Sequence, residues 1–108
     1  MTATPAPDLL EVDRELQRVV DRLTSLPLAK VPACSDDVFE TAAFILAQAR
    51  RLGAVIPPDV TLPRLGANGL GAMLAVVGSD FLETAKAAPE ADVQPVLDRL
   101  VALRRSLP

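Results

Sequence analysis

Residues Leu65–Ala88 read LGANGLGAMLAVVGSDFLETAKAA, and the way this stretch folds decides the fold of the chain. Its first half carries no charge and is built mainly of Gly, Ala, Leu and Val, so neighbours must cover it on most sides. Leu70, Leu74, Val77, Phe81, Ala85 and Ala88 recur at steps of three and four, the spacing of one helix face. A rival reading makes Asn68-Gly69 a hairpin turn between strands Val60–Leu65 and Leu70–Val77. Only two β-branched residues stand in Leu70–Val77, and the stripe continues well past it. A central helix with Asn68 as N-cap is the better reading. Asp80 and Glu83 could instead cap a new, fifth short helix after a break near Gly78; the unbroken stripe favours one helix, bent there if at all.

Working outward, three amphipathic helices flank this one. The first begins at Asp8, paired with Glu11 in a capping-box-like pattern. Its stripe is Leu9, Val12, Leu16, Val19, Leu23 and Leu26, widened by Leu10 and Val20, and Pro27 ends it. Pro27–Cys34 reads as a connector. The second helix has Ser35 as N-cap, Asp36 and Asp37 in its first turn, Arg50 and Arg51 in its last, and Gly53 as a left-handed stop. Pro57, Pro58 and Pro63 then forbid a helix interior across Ala54–Arg64, which reads as a long crossover loop. The last helix runs from Asp92, as N-cap, to Leu107, with Pro95 in its first turn and Val93, Val96, Leu100, Leu103 and Leu107 as its stripe.

The expected fold class is therefore all-α: a compact, up-and-down-like four-helix bundle with a long Pro-rich loop between helices two and three. Residues 1–7 read as a disordered tail and 8–108 as a single helical domain, a normal size for one core. Hydrophobic residues make up 50% of the chain, yet Phe39, Phe44 and Phe81 are its only aromatics. A core of Leu, Val, Ile and Ala suits helix-on-helix packing better than a β-sandwich.

Composition also excludes functions. A net charge of −3 and the lack of Tyr and Trp argue against nucleic acid as a partner. The uninterrupted apolar run Gly69–Gly78 is far shorter than the ~20 residues a membrane span requires, so no membrane partner is expected. No basic segment precedes an apolar one at the N-terminus, and Cys34 is the only cysteine, which together point to the cytoplasm. The chain has no histidine. That removes Ser-His-Asp and Cys-His nucleophiles, the commonest zinc ligand and the Glu-x-x-His pair of di-iron bundles. No catalytic, metal or cofactor residue is assigned, and the protein reads as a non-enzyme.

Each remaining feature has a plain reading beside the functional one. Cys34 lies near a helix N-terminus, which favours thiolate, but Asp36 and Asp37 oppose it, so an inert thiol is expected. Gly66-Ala-Asn-Gly69-Leu-Gly71 precedes a helix as phosphate loops do, without their glycine order or a following Lys-Ser/Thr. Asp80, Glu83 and Lys86 read as a solvated salt-bridge ladder rather than an acid/base pair. Arg14, Arg18 and Arg22 form a like-charged i, i+4 line that a partner's carboxylates or a phosphate would relieve, although Glu11, Glu15 and Asp21 can neutralise it locally. Gly71, Ala75 and Gly78 either let a helix approach closely or leave a pocket between helices. Wide apolar stripes without a catalytic constellation predict a protein acting through protein–protein contacts, as a homodimer or complex subunit. The alternative is a binder of a small apolar ligand in a pocket lined by Gly71, Ala72, Ala75 and Gly78.

Overall fold

The computed structural model describes residues 7–54 and 69–108. It is an all-α bundle of four helices, α1 (Pro7–Ser25), α2 (Ser35–Arg51), α3 (Leu70–Lys86) and α4 (Gln94–Ser106), with a 3₁₀ helix, η1 (Leu28–Ala33), between the first two. Among the described residues there is no strand. Leu70–Val77 is helical, which disposes of the hairpin, and α3 runs through Gly78 without a break. The fifth short helix of the fold is η1, inside the stretch expected to be a plain connector. The tail Met1–Ala6, the cap Asn68, the strand Val60–Leu65 and nearly all of the Pro-rich loop lie outside the described residues.

Helix ends differ from expectation for local reasons. Pro7 opens α1, one residue before Asp8, as suits a proline whose missing N–H would have no partner in a first turn. Ser35 does not cap α2. The chain arrives already wound as η1, with the Cys34 N–H bonded to the Val31 carbonyl and the Val38 N–H to the Cys34 carbonyl. Cys34 therefore occupies the cap position and Ser35 lies inside the helix, its hydroxyl turned back to the Pro32 carbonyl. Val93 holds the cap position of α4, yet Asp92 still serves it, accepting the Gln94 N–H on Oδ1 at 3.0 Å. Gly53 follows α2 at φ +103°, a conformation L-residues resist.

Side-by-side packing follows the cyclic order α1–α3–α2–α4. The contacts also fix direction. Gly71 lies against Leu23 and Thr24 while Gly78 lies against Leu16, so α1 and α3 are antiparallel. Glu15 meets Arg104 and Arg22 meets Pro108, so α1 and α4 are parallel. Phe44 lies under Arg99 and Asp37 near Ser106, so α2 and α4 are antiparallel. The pattern is up, down, down, up rather than simple alternation. Helices α2 and α3 are parallel neighbours.

The core is aliphatic: Val12, Leu16 and Val19 of α1 meet Val38, Ala42 and Ile45 of α2, Leu74 and Phe81 of α3 and Val96 and Leu100 of α4. Gly78 lies directly beneath one of these side chains. A Cβ at that position would stand 2.5 and 2.7 Å from the two methyl carbons of Leu16. The backbone of α3 is thus the surface on which Leu16 rests, and the cost of a helix-interior glycine is offset by that contact.

Candidate functional site

The expected arginine line divides into separate local contacts. Arg18 Nη1 donates to Glu15 Oε2 at 2.7 Å, one turn back on α1. Arg22 donates to the Pro108 carbonyl oxygen, pinning the end of α1 to the chain segment after α4. Arg14 is exposed at the other end of α1. The structure brings Arg18 and Arg22 to the α4 side of α1 but does not gather the three around one point, so they form no anion cradle.

What sequence reading did not foresee is the partner on α4. Arg104 Nε donates to Glu15 Oε1 at 2.6 Å, across helices 89 residues apart in sequence. Glu15 is buried although its neighbours on α1 are charged. Burial works to raise its pKa, but hydrogen bonds from Arg104 and Arg18, together with their positive charges, outweigh it, and the carboxyl titrates below its ordinary 4.5. Glu15 adjoins Leu16 at the edge of the apolar stripe, the one signal available. Its partner follows only once α1 and α4 are known to be neighbours.

The small residues of α3 do two different things. Gly78 is filled by Leu16. Gly71, one face-repeat earlier, has Thr24 Oγ1 at 3.4 Å and Leu23 Cβ at 3.6 Å from where a Cβ would lie, ordinary contact distances. A recess of about 280 Å³ opens there among Val20, Thr24, Leu28, Val31, Gly71 and Ala72. Ala75 is half-buried between these two regimes. At the opposite end of the same α1–α3 face a larger, solvent-open recess of about 440 Å³ is lined by Leu9, Leu10, Asp13, Leu82, Glu83 and Lys86. Lys86 donates to Glu83 at 2.9 Å on the surface, as the salt-bridge ladder reading expected, and this bond holds its ammonium above the ordinary range.

Three large apolar side chains remain exposed among the described residues: Leu10 at 59%, Leu28 at 65% and Val76 at 62%. Leu10 and Leu28 border the two recesses and Val76 stands on the outer side of α3. Cys34 is buried, its Sγ against the Val31 carbonyl, and burial with the nearby Asp37 raises its pKa, contrary to the activated-thiol alternative. Among the described residues no three His, Cys, Asp or Glu side chains converge as a metal site, and no helix is long and apolar enough to cross a membrane. No protein-family model, curated protein or solved structure matches the chain.

Proposed function

We propose that this protein is a non-catalytic helical module that acts through protein–protein contacts, as a homodimer or as a subunit of a larger complex, in the cytoplasm. The supporting observation is that Leu10, Leu28 and Val76 stay in water, Leu10 and Leu28 each beside a recess, although the core has taken every other large aliphatic of the described helices at least partly out of it. Isolated exposed apolar residues are ordinary, but exposed leucines beside recesses are the pattern of a binding surface. The test compares proteins captured from the native cells by the wild-type chain and by the triple variant L10D/L28D/V76D. A set of partners, the chain itself included, that is lost with the variant supports the reading. Identical sets, with the variant's helix content intact by circular dichroism, would overturn it.

The recess beside Gly71 favours a second reading, a binder of a small apolar ligand. At about 280 Å³ it lies just under the ~300 Å³ at which ligand pockets begin, and Gly71 and Ala72 are two of the four residues expected to line it. A rise in melting temperature with short acyl or aromatic compounds, abolished by G71L, supports it; no shift across such a panel dismisses it.

A further inference from the structure

We draw no further inference here: the strongest candidate, the solvent-open recess of about 440 Å³ between the start of α1 and the end of α3, where Leu9, Leu10 and Leu82 meet a rim of Asp13, Glu83 and Lys86, has its Glu83 carboxylate already paired with Lys86, and nothing in the structure shows what covers its apolar floor.

Discussion

Gly78→Ala tests the packing of α3 on α1, and its two opposing terms can each be put on a scale. Replacing a helix-interior glycine by alanine favours the helix by about 0.8–1.0 kcal/mol. Against this, the new Cβ would sit 2.5 and 2.7 Å from the Leu16 methyls, where carbon atoms prefer about 3.5–4.0 Å. Leu16 is 1% exposed and cannot swing into solvent. It must leave its rotamer or push α1 away, and overpacking of this kind costs about 1–3 kcal/mol, occasionally more. The steric term wins, for a net loss of about 1–2 kcal/mol. In a domain of this size that lowers the melting temperature by roughly 5–10 °C. Thermal unfolding by circular dichroism measures it, and a second background isolates the cause. In L16A, itself destabilised by about 2–5 kcal/mol, the added methyl meets a cavity, so G78A should become neutral or stabilising there. A Gly78→Ala variant at least as stable as wild type, or an equal penalty in both backgrounds, would refute the account.

Three further outcomes follow from the same contacts. Gly71→Ala, whose new methyl finds ordinary contacts of 3.4 Å and more, should stabilise the fold by about 0.5–1 kcal/mol in urea unfolding. Because Glu15 has a folded pKa below its unfolded one, its contribution is complete above about pH 4.5 and is lost as pH falls through the folded value; Glu15→Gln should cost about 1–2 kcal/mol at pH 7, discounted because Arg18 and Arg104 are 55% and 37% exposed, and should flatten the acid limb of a stability–pH profile. Cys34 should resist a thiol reagent at neutral pH in the native protein and react at once in denaturant, since the thiol is buried and its pKa raised.

Apolar periodicity carried the four helices into view because each stripe faces one core and repeats often enough to outweigh a single turn dipeptide such as Asn68-Gly69. Helix starts were less legible. Ser35 has the chemistry of a cap, but whether it caps depends on the conformation of Pro32–Cys34 before it, and a short 3₁₀ helix leaves little pattern in composition. The small residues Gly71 and Gly78 were visible as a question about packing or vacancy; the answer depends on which α1 side chain lies opposite each, Leu16 over Gly78 and Thr24 beside Gly71. The Glu15–Arg104 bond was not legible, because Glu15 has Arg18 as an adequate local partner and nothing in a one-dimensional pattern sets α4 beside α1. Direction was hidden for the same reason: only contacts show that α2 and α3 run parallel.

The cyclic order α1–α3–α2–α4 has a consequence for how the chain acquires its structure. Among the described residues α1 packs on α3 and α4, and neither α1 with α2 nor α3 with α4 forms an adjacent pair. No hairpin of successive antiparallel helices exists to serve as a folding unit. Helix α1 finds its principal partners, α3 and α4, only beyond α2 in the chain, and the Glu15–Arg104 contact waits for α4. Loop closure must be met before these contacts reward it. Until α3 and α4 join it, α1 is a strongly amphipathic helix with its apolar stripe uncovered, and the domain should fold and unfold as one cooperative unit rather than in halves.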